Sequence, residues 1–95
     1  MDIKRNKIVG QCLKEARKHA GLSQAVLGKR LKKAQSLISK QENGDRSFPL
    51  AELFDYVEAL DSDTTYLELV QNIYVRLDEE GYIRPVHMED EEAAR

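Results

Sequence analysis

Five helices and no sheet are the expected architecture of this chain, an all-α fold ended by an acidic tail. Apolar residues recur at three- and four-residue spacing along most of its length, and no stretch alternates apolar and polar residues as a half-buried strand would. Starts and stops, among them Gly21, Gly44, Pro49 and the pair Thr65 and Glu68, cut that pattern into helix-length pieces. The 95 residues suffice for one hydrophobic core and are too few for a second.

The first helix is predicted over residues 4–20, where Ile8 or Val9, Leu13, Ala16 and Arg17 return at helical intervals and Gly21 supplies the stop. Ser23 then offers an N-cap for a second helix over residues 24–31. Leu27 and Leu31 form its buried stripe, with Gly28 on the same side to let another helix come close. A third helix covers residues 35–43, pointing Ile38 inward and ending at Gly44, which can take the left-handed backbone of a C-terminus.

Pro49 suits the first turn of a fourth helix, in which Leu50, Leu53, Phe54, Val57 and Leu60 make one apolar stripe. Residues 61–64 break the pattern. Thr65 with Glu68 three residues later then forms a capping box worth about 1 kcal/mol for a fifth helix. Its apolar positions, Tyr66, Leu67, Leu69, Val70, Ile73, Tyr74 and Leu77, span more than one small core needs. Tyr66, Leu69, Ile73, Tyr74 and Leu77 are therefore the candidate dimer interface, unless the tail covers them.

These elements divide the chain into a domain over residues 1–78 and a tail over residues 79–95, where Gly81 and Pro85 interrupt any helix and an acidic run favours solvent. Tyr82, Ile83 and Val86 are positioned to fold back on the core.

Composition narrows the function. With 41% hydrophobic and 34% charged residues and no low-complexity tract, the chain is of the folded, water-exposed kind. No apolar run approaches membrane-spanning length, and the opening MDIKRNK leads into the broken sequence IVGQCLKEA rather than a continuous apolar segment, which places the chain in the cytoplasm. Cys12 has no partner for an internal disulfide and reads as an ordinary helix residue. His19 and His87 lack neighbouring ligands, so neither metal nor cofactor is expected. No glycine-rich phosphate loop occurs, and the carboxylates stand beside no nucleophile, so an enzyme is not expected.

The net charge of −2 conceals a separation of sign: residues 1–46 hold 12 Lys and Arg against 4 Asp and Glu, and residues 47–95 hold 3 against 13. One face should attract a polyanion and the other repel it.

Within the basic half, residues 22–44 read LSQAVLGKRLKKAQSLISKQENG, two short amphipathic helices joined by a tight turn. Ser23-Gln24, Leu27, Gly28, Leu31, Ser39 and Glu42-Asn43-Gly44 fall at the spacing of one motif without an insertion. From about Ile8 to Leu69 the chain resembles the Xre family of phage-repressor and Cro-like helix-turn-helix proteins, whose fold is the compact five-helix lambda-repressor-like DNA-binding domain.

The resemblance implies a helix-turn-helix at about residues 24–43 whose third helix enters the major groove of double-stranded DNA. By position, Gln35, Ser36, Ser39 and Lys40 would contact bases: Gln pairs well with adenine, Lys donates to guanine, and Ser suits several bases. Leu37 would meet a thymine methyl or pack inward. Gln24 and Asn43 would bind phosphate, the former through its side chain or nearby backbone. Lys29, Arg30, Lys32 and Lys33 would add phosphate contacts or long-range attraction, Lys33 being the backbone-contact candidate among them. Arg17 and Glu42 would pair in a partly buried salt bridge.

Three residues depart from the motif: Lys32 replaces the usual turn glycine, and Lys33 and Gln41 stand where many relatives are apolar. The implied function is a sequence-specific transcriptional regulator, a repressor that binds a palindromic operator as a homodimer. The competing expectation is an antitoxin or adaptor that uses the same scaffold to grip a protein partner through its tail or fifth helix.

Overall fold

The computed structural model describes residues 2–83, which form five α-helices and one 3-10 turn, with no strand among the described residues. Helix α1 spans Ile3–His19; Asp2 caps it, its carboxylate accepting from the Arg5 amide at 3.0 Å. Arg17, Lys18 and His19 occupy its last turn, where cations suit the negative end of the helix dipole. Helices α2 (Gln24–Leu31) and α3 (Gln35–Asn43) follow, then the 3-10 turn Leu50–Glu52, α4 (Leu53–Leu60) and α5 (Tyr66–Glu79). No helix of the described residues is long and apolar enough to cross a membrane.

Helix α1 is the spine, packing against α3 on one side and α5 on another, while α2 rests on α3 and α4. Cys12 and Leu13 of α1 meet Leu27, Ile38, Leu60 and Leu69 in a core from which water is excluded. Each large aliphatic side chain there contributes roughly 1.5–3 kcal/mol. The crossing of α1 and α3 depends on Gly10: a Cβ at that position would lie 2.5 Å from the Glu42 carbonyl oxygen and closer still to that of Gln41. Backbone meets backbone there, which only glycine permits.

Helix α4 is rotated from its expected register. Its inward residues are Leu53, Tyr56 and Leu60, with Val57 half-buried, whereas Leu50 and Phe54 are 75% and 55% exposed. Pro49 precedes the 3-10 turn rather than opening α4. That turn advances about 120° per residue against about 100° in an α-helix, so three residues carry Leu50 about 60° off the stripe. Tyr56 takes the place expected for Phe54. Its ring meets Phe48 edge-on at 5.4 Å and its hydroxyl donates to the Leu13 carbonyl at 2.8 Å. Burial pushes the phenol pKa up, which keeps that donor protonated.

Thr65 caps α5, its hydroxyl accepting from the Glu68 amide at 3.1 Å. The helix docks on α1 through Leu69, 3% exposed, and half-buried Ile73, and an Arg76–Glu15 ion pair closes the seam. Hydrogen bonding from Arg76 holds the Glu15 carboxyl below its ordinary pKa.

This docking corrects the expected dimer face. Leu69 is spent on the intramolecular core, and Ile73 and Leu77 are half-buried. The outward side carries Tyr66 and Tyr74 together with Leu67 and Val70, and Phe54 joins it by packing edge-on against Tyr66 at 5.0 Å. Beyond α5 the chain turns at Gly81 and brings Tyr82 back to α1, where Arg5 donates to the Tyr82 carbonyl at 3.4 Å. Val86 and the acidic part of the tail lie outside the described residues.

Candidate nucleic-acid interface

The two short helices are joined by three residues, and each end of the joint is fixed by a local device. Ser23 starts α2, its hydroxyl accepting from the Val26 amide at 3.1 Å. Lys32 ends α2 in the left-handed region, φ 56° and ψ 42°, a conformation that strains a side-chain-bearing residue by roughly 1–2 kcal/mol. The Lys33 amide then donates to the Gly28 carbonyl at 2.8 Å, and Ala34 is extended before α3 begins. Gly28 admits both this turn and the start of α3: a Cβ there would stand 2.7 Å from the Lys33 carbonyl oxygen and 3.6 Å from the Gln35 amide nitrogen.

Helix α3 is held along one edge and free along the other. Ile38, Gln41 and Glu42 are buried. Glu42 is the tie: its Oε2 accepts from Arg17 Nε at 2.6 Å, and its Oε1 accepts from Arg17 Nη2 at 2.9 Å and from Gln24 Nε2 at 3.0 Å. One carboxylate thereby joins α1, α2 and α3. Arg17 also donates through Nη1 to the Leu22 carbonyl at 2.6 Å. The hydrogen bonds to Glu42 outweigh burial and raise the Arg17 pKa, so the guanidinium stays charged although the residue is 6% exposed. Gln41, a polar residue in an apolar setting, donates to the Ser47 carbonyl at 3.4 Å.

The free edge consists of Gln35, Ser36, Ser39, Lys40 and Asn43, at positions i, i+1, i+4, i+5 and i+8 of the helix. Gln35, Ser36, Lys40 and Asn43 are exposed, and Ser39 and Leu37 are half-buried. No hydrogen bond or ion pair among the described residues uses the five polar side chains of that edge. They present amide, hydroxyl and ammonium groups with their bonding capacity unspent.

Two expected phosphate ligands are occupied elsewhere. The Gln24 side chain is turned inward to Glu42, which leaves the amides of Gln24 and Ala25, unused by capping bonds, as the donors at the α2 terminus. The Lys33 ammonium is paired with Glu52 and so is not free for phosphate. Both displacements have one cause: a carboxylate from a different helix reaches the same point, and spacing along the chain does not reveal that meeting. Arg30 also donates to a carbonyl, that of Ala59 at 2.7 Å, while Lys29, Lys32, Lys40 and Arg46 remain exposed. Arg46, just past α3, was absent from the expected set, although its place after Gly44-Asp45 in the basic half marks it.

The exposed acids Asp55 and Glu58 of α4, Asp61 just after it, and Glu68, Asp78 and Glu79 of α5 sit on other elements, and Asp45 is the exposed carboxylate nearest to α3 in sequence. His19 lies 3.1 Å from Asp63 at the far end of α1, and His87 lies outside the described residues.

No curated protein and no solved structure matches the chain. The helix-turn-helix family model matches residues 13–67, from the middle of α1 into the first turn of α5, which is more than half of the sequence. With that match laid over the Glu42 tie and the free edge of α3, the chain belongs to the Cro/C1-type helix-turn-helix family of Xre-like and phage repressors, DNA-binding regulators of transcription.

Proposed function

We propose that this protein is a sequence-specific repressor that binds a palindromic operator as a homodimer, each copy laying α3 in one of two successive major grooves about one DNA turn apart. The observation that carries the reading is the division of α3 into a locked edge, through Ile38 and Glu42, and an unengaged polar edge. Gln35 would bond adenine, Lys40 would donate to guanine, and Ser36 and Ser39 would contact neighbouring bases. Asn43 and the first amides of α2 would hold phosphates on either side, with Lys29, Lys32 and Arg46 supplying attraction that weakens with salt.

Pairing of two copies would use the outward apolar side of α4 and α5, where Phe54, Tyr66, Leu67, Val70 and Tyr74 lie exposed. An apolar patch of this kind on a small soluble domain marks an association surface. Tyr74→Lys, at a site 54% exposed, should give a monomer in sedimentation at micromolar concentration while the thermal midpoint stays in place.

The test of the reading itself is the double substitution Gln35→Ala with Lys40→Glu, assayed on duplex DNA and on any protein that co-purifies with the chain. Loss of DNA binding with an unchanged fold supports a DNA regulator. Loss of a protein complex alone would favour an adaptor.

A further inference from the structure

We propose that the cavity between the end of α2, the turn that follows it and α4 is a binding site for a small zwitterion with an aromatic body, an aromatic α-amino acid. The inference goes beyond the DNA-binding reading and does not rest on it.

The three residues that depart from the motif, Lys32, Lys33 and Gln41, all line this one space of about 410 Å³. Small-molecule sites span roughly 300–1,000 Å³. Lys33 and Gln41 occupy positions that many relatives fill with apolar side chains. Here their polar ends are drawn aside, the Lys33 ammonium to Glu52 and the Gln41 amide nitrogen to the Ser47 carbonyl at 3.4 Å.

The inner lining is apolar and aromatic. Phe48 and Leu31 are half-buried, and Tyr56 is buried with its hydroxyl already given to the Leu13 carbonyl, so the two rings supply surface rather than polar contact. Gln41 is the exception. It is 6% exposed, yet its amide oxygen accepts no hydrogen bond among the described residues. A nearly buried acceptor without a donor marks a place for one polar group on a bound molecule.

The rim carries charge of both signs on facing elements. Arg30 and Lys32 come from the α2 side and Asp55 and Glu58 from α4; all four are exposed and stand outside every ion pair of the described residues. The Arg30 guanidinium donates through Nη1 to the Ala59 carbonyl at 2.7 Å, which brings it to the last turn of α4, where Glu58 lies. Its Nε and Nη2 form no bond among the described residues. That free fork suits a carboxylate, and the two acids suit an ammonium. A ligand of one sign would be repelled by half of this rim. An amino acid meets both halves, with its carboxylate on Arg30, its ammonium at Asp55 and Glu58, its ring against Phe48 and a ring hydroxyl donating to the Gln41 oxygen.

Occupancy leaves the reading edge clear. Gln41 is two residues from Ser39 and so lies about 200° around α3 from it, which puts ligand and DNA on opposite sides of the helix.

The test titrates the full chain with L-phenylalanine, L-tyrosine, phenethylamine and 3-phenylpropanoate while amide NMR shifts are followed. L-phenylalanine should move the Lys33, Gln41 and Phe48 amides saturably, and the amine and the acid, each lacking one charge, should bind about 10-fold more weakly. L-tyrosine should bind about 5-fold more tightly than L-phenylalanine, and Gln41→Leu should level the two. Asp55→Asn combined with Glu58→Gln should weaken L-phenylalanine about 10-fold and leave 3-phenylpropanoate no weaker. Absence of saturable shifts at these amides would overturn the site. Single-charge analogues that bind as well as L-phenylalanine would overturn the zwitterion assignment, and equal binding of the two amino acids by the parent would overturn the role of Gln41.

Discussion

Replacing Arg17 by Met should damage the fold well before any recognition chemistry is touched. The substitution keeps an apolar stem of similar length and removes the charge, so Glu42, 5% exposed, loses two of its three donors and retains only Gln24. Breaking a buried pair in this way costs about 3–5 kcal/mol, because one charge is left without compensation. The Leu22 carbonyl loses its donor as well. A domain of this size shifts its midpoint by about 4–8 °C per kcal/mol, so thermal unfolding followed by circular dichroism should show a fall of about 12–40 °C. Arg17→Met combined with Glu42→Leu removes both charges and should recover much of the loss, giving a large coupling in a double-mutant cycle. An unchanged midpoint for Arg17→Met, or strictly additive effects of the two substitutions, would refute the claim that this pair fastens α3 to α1.

Three further expectations address the surrounding structure. Lys32→Gly should raise stability by about 0.5–1 kcal/mol in urea unfolding, since relief of left-handed strain exceeds the greater chain entropy of glycine in the unfolded state. Gly10→Ala should destabilise by about 1–3 kcal/mol, because its Cβ would press on the Glu42 carbonyl and force α1 and α3 apart; amide exchange at that crossing should rise, and an unaltered rate would count against the close approach. The Glu15 carboxyl is held below its ordinary value by Arg76, so its contribution is present above the unfolded pKa of about 4.3 and is lost as pH falls through the lower folded value. With the side chain 41% exposed, that contribution stays under about 1 kcal/mol, and Glu15→Gln should flatten the acid limb of the stability profile by this small amount.

Much of the helical layout was legible in the sequence because its boundaries are written by local chemistry. Ser23, Thr65, Gly21 and Gly44 act within one turn of themselves, and the bounds of α2 and α3 follow from them. The unengaged edge of α3 was legible for a similar reason, since a nine-residue helix with one buried stripe presents its polar residues on the other side.

Features set by meetings between distant helices were not legible. Glu52 captures Lys33, Glu42 captures Gln24, and the Tyr56 hydroxyl finds the Leu13 carbonyl, none of which spacing along one helix can show. The 3-10 turn before α4 carries Leu50 outward, although Pro49 and the apolar run read as a plain helix start, and Tyr56 rather than Phe54 faces the core. The burial of Leu69 followed from which side of α5 meets α1, a choice that the wide apolar stripe left open. Gly10 did carry a signal, a glycine inside a strong helical pattern, and the close approach to α3 is its physical reason.

Selection of bound sites from a pool of random duplexes tests the central claim most directly. An enriched palindromic sequence is expected, with half-sites centred about 10–10.5 base pairs apart, and a loss of preference at one base pair per half-site when Gln35→Ala replaces the parent protein. A pool that stays random, or a preference indifferent to Gln35 and Lys40, would contradict the assignment of α3 as the reading element.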